Sequence, residues 1–538
     1  MNARISATAS AVLIILISLL PKAYYSAQMP FDADFVPVIW WGWEWLNGGA
    51  FPAYGTLSSV GAYNFPMLVW LHLPALSLTH EAQSAVLATL LWLNMLGMAC
   101  FYSVARGMFG VGVATCALLL FALSETLITS AYTAWAQVLL PSGFACLTWV
   151  LWRWIQTRQA RWLALSGVVA TALFMLHFSA ILLYPCMLAF ALFYRARWSW
   201  RGIIAGGLVC VALLAPYLGF QVGRDFRDLR AFLTRQTPIP AETMRTYREL
   251  AYPSTPTQLT QREEAQPAQP IQGDAQRAPS ESPTLITRAT REVTTVIGAL
   301  TAFVPPNLPY AGWAFLACVA VAFIANLRQR RAQTTAVWGL LLMVATFVLG
   351  LLITRTYPSA QPTYLTGLLA WGALLCGWGL WTCLRAWRWG RIVAVLACVV
   401  VALGTQAQRI GREPARQEAL FPQTWYFSQV ASATDAIAEA FGRDTTLTIA
   451  YDLLPEMPFQ WWAMAWHTAD PRYHLGMAYD FLLLSRHNIR NRNVSATSTA
   501  DNPDALIVLD EGLARHSDAL ANGARAIVVG RVVVLVWR

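Results

Sequence analysis

Apolar residues along this chain gather into long uninterrupted runs separated by short polar connections. Runs close to the roughly 20 residues that a helix needs to cross a bilayer lie at about 5–24, 84–105, 108–130, 133–152, 162–177, 178–194, 202–220, 306–327, 334–354, 363–384 and 391–408. The pattern predicts a polytopic α-helical membrane protein with about eleven transmembrane helices. No small-residue cleavage pattern follows the first run and the second is far downstream, so the first reads as a retained anchor.

Two stretches depart from short connections. The segment 221–305 opens with the charged, helix-compatible GRDFRDLRAFLTRQ, passes through a Pro/Gln/Ser-rich stretch and closes with TTVIGALTAFVPP. The middle has the composition of a disordered segment; the close is too short to span and reads as an interfacial helix or the start of the next span. In residues 409–538, TLTIAYD, DALIVLDE and the pair AIVV/VVVLVW read as strands, the last pair as a hairpin turning at Gly530–Arg531. The expected organisation is a membrane domain over 1–408 and a small extracytoplasmic α/β domain over 409–538.

Composition agrees, with 57% hydrophobic and 12% charged residues in 538, too apolar for one soluble globule. The net charge of +10 is an orientation signal. With the N-terminus cytoplasmic, the connections at Arg106, Arg153/Arg158/Arg161, Arg195/Arg197/Arg201, Arg328/Arg330/Arg331 and Arg385/Arg388/Arg391 fall inside, and none holds Asp or Glu. Asp32, Asp34, Glu44, Glu125, Arg355 and the C-terminal domain then face outward. The arginines form no continuous stripe, which argues against a nucleic-acid partner. All nine cysteines lie in predicted spans, where they serve as small packing residues and not as a disulfide or CxxC metal framework.

Chemistry concentrates in the first outer loop, residues 25–83, where FDADF precedes a Trp-rich helix and PAYGTLSSVGAYNFP. A carboxylate at the bilayer edge, partly desolvated by Trp40, Trp41, Trp43 and Trp45, suits general-base work. The competing role for Asp32 and Asp34 is to cap the helix that starts near Phe35. Trp43 and Trp135 offer indole faces for stacking or belong to an interfacial aromatic belt. Arg224 and Arg227, with Arg230, recur every third residue on one face of the helix-compatible stretch. FDADF can also hold a divalent cation through oxygen ligands at Asp32 and Asp34, and the sequence points to no other cofactor. Neither GxxxxGK[ST] nor HExxH is present.

The order NGG, FPAYG, SSVG and NFP after an outer-loop Asp resembles the GT-C glycosyltransferases. It is most similar to bacterial relatives of the dolichyl-phosphate-mannose protein mannosyltransferases and of the aminoarabinose lipid A transferases. LLWLNMLGMACFYSVARGMFG, AYTAWAQVLLP, LHFSAILLYP and APYLGFQ extend the resemblance over about the first 220 residues. It implies transfer of a hexose or pentose from a polyprenyl-phosphate donor to an extracytoplasmic protein, lipid or glycan acceptor, at a bacterial inner or plasma membrane. Counting from NGG and FPAYG, Asp34 best fits the family's loop Asp and Asp32 comes second, while Phe35 replaces the usual Glu. Arg355, with Tyr357 and Tyr364, resembles the basic or His-Tyr position that opens a late span and meets the donor phosphate. The resemblance also implies His177, Asn64, Trp43 and Trp135 at the sugar or acceptor, with Arg224 and Arg227 as a second candidate for the donor phosphate. Two other classes remain: a non-catalytic scaffold of this fold, and a lipid-linked glycan transporter, which near-charge-free span interiors disfavour.

Overall fold

The computed structural model describes residues 2–26, 29–31, 35–56, 63–234, 285–305, 308–327, 332–354, 362–420, 427–453, 477–492, 503–509, 513, 516–530 and 532–537. The chain divides into two compact units. One comprises Met1–Thr56, Asn64–Gly223 and Thr294–Ala431; the other comprises Leu57–Tyr63, Arg224–Val293 and Ser432–Arg538.

The first unit is helical throughout its regular structure, because long apolar runs satisfy backbone polar groups internally only as helices. Among the described residues seven helices are long and apolar enough to cross a membrane: Thr8–Tyr25, Ala82–Phe109, Ala136–Thr157, Trp200–Val222, Tyr310–Leu327, Ala332–Ile353 and Gly390–Gln408. Shorter apolar helices, Val111–Ala122, Ala160–Leu176, Phe178–Phe193 and Leu368–Leu384, occupy the remaining sequence-predicted runs. The chain is thus a polytopic helical membrane protein.

The 108–130 run does not form one helix. Gly110, at φ +93°, separates it from the preceding span, and the helix beginning at Val111 stops at Ala122. Ser124 then donates to the Phe121 carbonyl at 2.8 Å and accepts from the Leu127 N–H at 3.3 Å, capping a five-residue helix, Glu125–Thr129. A hydroxyl that satisfies both helix ends makes the break.

In lipid, helices associate by close packing and a few polar contacts. Gly202 and Gly206 bring the Trp200–Val222 helix against the Ala160–Leu176 helix, where added Cβ atoms would lie 2.7 Å from the Ala160 oxygen and 3.0 Å from the Ala164 Cα. The buried Trp371 indole donates to Thr148 Oγ1 at 2.9 Å and packs between Phe144 and Phe347. Asn94 and Ser130 join two segments through Ser130 Oγ to Asn94 Oδ1 at 3.0 Å.

The second unit is α/β. Its strands are β1 Thr446–Leu447, β2 Ile449–Asp452, β3 Arg490–Asn491, β4 Ala505–Leu509, β5 Arg525–Val529 and β6 Val532–Val536; β1 pairs parallel with β3, and the other four form a sheet of order β2-β4-β6-β5. β2 and β4 are parallel, and β6 is antiparallel to both β4 and β5. β6 is buried at every position, as its unbroken Val/Leu run requires. Val529 pairs with Val532, leaving a two-residue turn that begins with Gly530 at φ +60°. The expected hairpin is therefore present, although Arg531 itself lies outside the described residues. Behind β2, the Tyr451 hydroxyl donates to the buried Asp480 on the Met477–His487 helix, and Asn491 Nδ2 donates to the same carboxylate at 3.0 Å. Burial, followed by the Asp480 charge, pushes the Tyr451 phenol well above its usual pKa, which keeps it a donor.

The charged opening of segment 221–305 forms the helix Arg227–Thr234, and its close forms Leu285–Leu300, a helix separate from Pro309–Leu327. The Pro/Gln/Ser-rich stretch between them is outside the described residues.

Candidate functional site

The connection after the first helix is anchored by residues on both sides of Asp32 and Asp34. Met29 accepts a hydrogen bond from the Phe427 N–H at 3.0 Å, and the fully buried Phe31 packs edge-on to Phe427 at 5.0 Å and against Phe35 at 5.4 Å. Asp32 and Asp34 lie between these anchors, outside the described residues. Phe35 occupies the N-cap of the Val36–Leu46 helix, an apolar residue at a position that favours Asp or Ser. Phe35 is buried and its ring packs against Phe31, which gives an aromatic residue at this position a packing role.

The helix ends at Asn47, whose N–H and side-chain amide both bond the Trp43 carbonyl, at 3.1 and 2.8 Å. Trp43 is half-buried on that last turn. Downstream, Tyr54 stacks on Phe220 at 4.3 Å and meets Trp41 edge-on at 5.1 Å. Asn64 closes the neck of the next loop: its carbonyl accepts from Gly55 N at 2.7 Å and its N–H donates to the Thr56 carbonyl at 2.9 Å. A Cβ at Gly55 would fall 2.2 Å from the Phe65 oxygen, so only glycine fits this neck. Phe65 in turn packs on Tyr217 at 4.3 Å and Phe174 at 4.8 Å.

His177 and Tyr364, distant in sequence, meet edge-to-face at 4.7 Å. His177 caps the Phe178–Leu182 turn, its Nδ1 taking the Ser179 N–H at 3.3 Å and lying 2.7 Å from the Ser179 hydroxyl. With Nδ1 used as acceptor, the neutral ring carries its proton on Nε2. Two residues beyond Tyr364, the Thr366 hydroxyl donates to the Gln137 carbonyl at 2.8 Å, tying this segment to the turn in which the half-buried Trp135 is the N-cap of the Ala136–Thr157 helix. His177 and Tyr364 thus form one cluster, with the Trp135 turn tied to it. Arg355 and Tyr357, which precede Tyr364, are outside the described residues.

Arg224 and Arg227 belong to the second unit. Arg224 bonds the buried Asp228 at 3.2 and 3.4 Å and lies 5.3 Å above the Tyr63 ring. Its charge is neutralised locally, while Arg227 stands exposed and Arg230 donates to the Asp225 carbonyl.

The structure also presents Lys22, which is not among the sequence-derived candidates. It is fully buried, with Nζ 3.8 Å from the Met98 sulfur. The signal is a lysine inside an otherwise uncharged apolar run, an arrangement rare enough in spans to mark a position for study. Among the described residues no group of three His, Cys, Asp or Glu is placed to hold a metal ion.

The sequence model of the dolichyl-phosphate-mannose-protein mannosyltransferase family matches residues 64–220. Comparison with curated proteins finds no match. Among solved structures, ArnT from Cupriavidus metallidurans bound to undecaprenyl phosphate is similar at a TM-score of 0.49 and 13% identity, covering 99% of this chain and 98% of that one. The Archaeoglobus fulgidus oligosaccharyltransferase in complex with Zn and sulfate is similar at 0.49 and 10% identity, covering 95% and 69%. The archaeal oligosaccharyltransferase AglB from the same organism, in complex with an inhibitory peptide and a dolichol-phosphate, gives 0.48 and 12%, covering 96% and 71%. The resemblance to GT-C glycosyltransferases is borne out by the family match over residues 64–220, the stretch that holds Asn64, Trp135 and His177.

Proposed function

We propose that the chain is an integral-membrane glycosyltransferase that moves a sugar from a polyprenyl-phosphate donor to an acceptor on the extracytoplasmic side. The observation that carries this reading is the mannosyltransferase family match over 64–220. The packing of Phe31 and Phe35, which flank Asp32 and Asp34 in the sequence, supports it. Asp34, or Asp32, takes the acceptor hydroxyl proton as the acceptor oxygen bonds the anomeric carbon. The bond from that carbon to the phosphate oxygen breaks, and polyprenyl phosphate leaves with the electron pair. Attack opposite the leaving group inverts the anomeric centre. Arg355, with Tyr357 and Tyr364, holds the phosphate, since a guanidinium fork matches its oxygens. His177, Trp43, Trp135 and Asn64 line the sugar and acceptor side. Residues 1–408 form the transferase domain in a bacterial inner or plasma membrane, and the outward-facing 409–538 domain selects the acceptor.

The test is transfer from a panel of radiolabelled polyprenyl-phosphate sugars by membranes bearing wild type, Asp34→Asn or Asp32→Asn. Loss of a general base lowers turnover by about 10²–10⁴-fold, and we expect that loss in Asp34→Asn with normal protein levels. Equal transfer by all three proteins overturns the assignment of a catalytic carboxylate to this loop. Absence of transfer by the wild type from every donor favours the scaffold reading, in which Phe35 marks a lost Glu.

A further inference from the structure

We infer that the first unit carries a binding groove for the phosphodiester headgroup of an anionic glycerophospholipid, at the end opposite the proposed transfer site. The groove, of about 430 Å³ and open to the surface, lies where the helices Ala82–Phe109, Ala136–Thr157 and Ala160–Leu176 meet, and Arg106, Trp152, Arg153 and Trp162 line it.

Three observations point to an anion. The first is uncompensated charge: Arg153 and Arg161 lie 5.4 and 5.5 Å from the same Trp162 ring, and Arg106 opens onto the same groove. No carboxylate occurs in the sequence between Glu125 and Asp225, and none of the ion pairs among the described residues includes these arginines. The second is unused donors. The indole nitrogens of Trp152 and Trp162 are buried without a hydrogen-bond partner among the described residues, a costly state for an N–H unless something arrives to accept. The third is close approach. A Cβ at Gly107 would fall 2.8 Å from Trp152 Nε1, so a larger residue there would crowd that nitrogen and shift the indole in the groove wall.

A lipid headgroup, and not a soluble phosphate, is the occupant the surroundings favour. Arg158 Nη1 donates to the Arg195 carbonyl at 3.1 Å, and Gln333 Nε2 to the Phe109 carbonyl at 3.0 Å, gathering several basic turns at this end. The Arg195 turn carries the exposed Trp198 and Trp200, and the basic turn after Leu384 carries the exposed Trp387 and Trp389, residues of the kind that mark the level of lipid headgroups. Basic pockets between spanning helices at that level take anionic headgroups. The inference depends on the chain lying in a bilayer and not on the transfer chemistry, so its failure leaves the transferase reading intact.

Native mass spectrometry of the full chain, titrated with phosphatidylglycerol and with phosphatidylcholine, tests it. Each arginine near such a headgroup contributes about fivefold in affinity. Arg106→Gln/Arg153→Gln should therefore bind phosphatidylglycerol about 25-fold more weakly, whereas Arg197→Gln, an exposed arginine at the same end, should stay within about twofold of wild type. Trp152→Phe keeps every charge and should weaken binding by about tenfold through loss of the donor; it reads the site even where the double variant does not fold. Equal losses in the groove variants and Arg197→Gln would mean bulk charge attraction and overturn the site. So would unchanged binding in both the double variant and Trp152→Phe, a failure to prefer phosphatidylglycerol over phosphatidylcholine, or inorganic phosphate displacing the lipid mole for mole.

Discussion

His487 shows how one buried ring makes the second unit sensitive to pH. Its Nε2 meets Asp435 Oδ1 at 2.9 Å, while Nδ1 is buried with no partner among the described residues. A protonated ring would need acceptors at both nitrogens. Burial is the largest influence and lowers the pKa below the ordinary histidine value, outweighing the opposing pull of Asp435. The unfolded chain titrates near 6.5, so as pH falls through that value the unfolded state takes up a proton that the folded state resists. Stability is full above the unfolded pKa and is lost as pH falls toward the folded one. Protection of the Met477–His487 amides in hydrogen exchange, corrected for intrinsic rates, should fall between about pH 7.5 and 5.5. His487→Gln should flatten that dependence; an unchanged profile would place the sensitivity elsewhere. Arg224 illustrates a limit of reading residues by spacing. Its recurrence with Arg227 was visible, and so was Asp228 four residues on; what spacing does not give is that Asp228 is buried and holds Arg224.

At the scale of elements, glycines set how near helices approach. Gly372 lies on the Leu368–Leu384 helix where a Cβ would fall 1.8 Å from the Leu300 carbonyl oxygen. The obstacle is backbone and cannot rotate away, so overpacking should cost at least about 1–3 kcal/mol. Gly372→Ala should lower the midpoint of thermal unfolding in detergent, and Gly207→Ala, where a Cβ meets nothing within 4 Å, should leave it unchanged or raise it slightly. If the two variants unfolded alike, the close approach would not matter. Such contacts explain which parts of the fold were legible. Long apolar runs depend on local composition, and each predicted run coincides with helical structure. The hairpin before the C-terminus was equally readable, because two Val-rich strands and one glycine turn encode it locally. The division of 108–130 was not, since it rests on one serine bonding in two directions. The 13-residue helix Met67–Thr79 was missed because its apolar run is too short to read as a span and contains Pro74. Of the candidate site, the motifs located His177 and Tyr364, but their contact joins chain segments nearly two hundred residues apart and no local pattern encodes it.

For the whole molecule, both the transfer site and the lipid groove acquire meaning from which side of the bilayer they face. The arginines of five connections predict a cytoplasmic N-terminus; in that orientation the Asp32/Asp34 loop would face outward and the proposed Arg106/Arg153 groove would meet the inner leaflet. The native cysteines make this easy to check: all nine are free and either buried or partly buried, and each lies within a helix of the first unit. Background labelling by a membrane-impermeant maleimide should therefore be low. Asn522 and Arg197 are both exposed, one in the C-terminal unit and the other in a basic turn. In intact cells Asn522→Cys should label and Arg197→Cys should not; permeabilisation should expose the latter. The reverse pattern would turn the molecule over, put the carboxylate loop in the cytoplasm and assign the groove to outer-leaflet lipid. Labelling of both sites in intact cells would mean that the number of crossings between them is even, and Leu368–Leu384, the one shorter apolar helix between them among the described residues, with 17 residues, would then be a re-entrant segment and not a span.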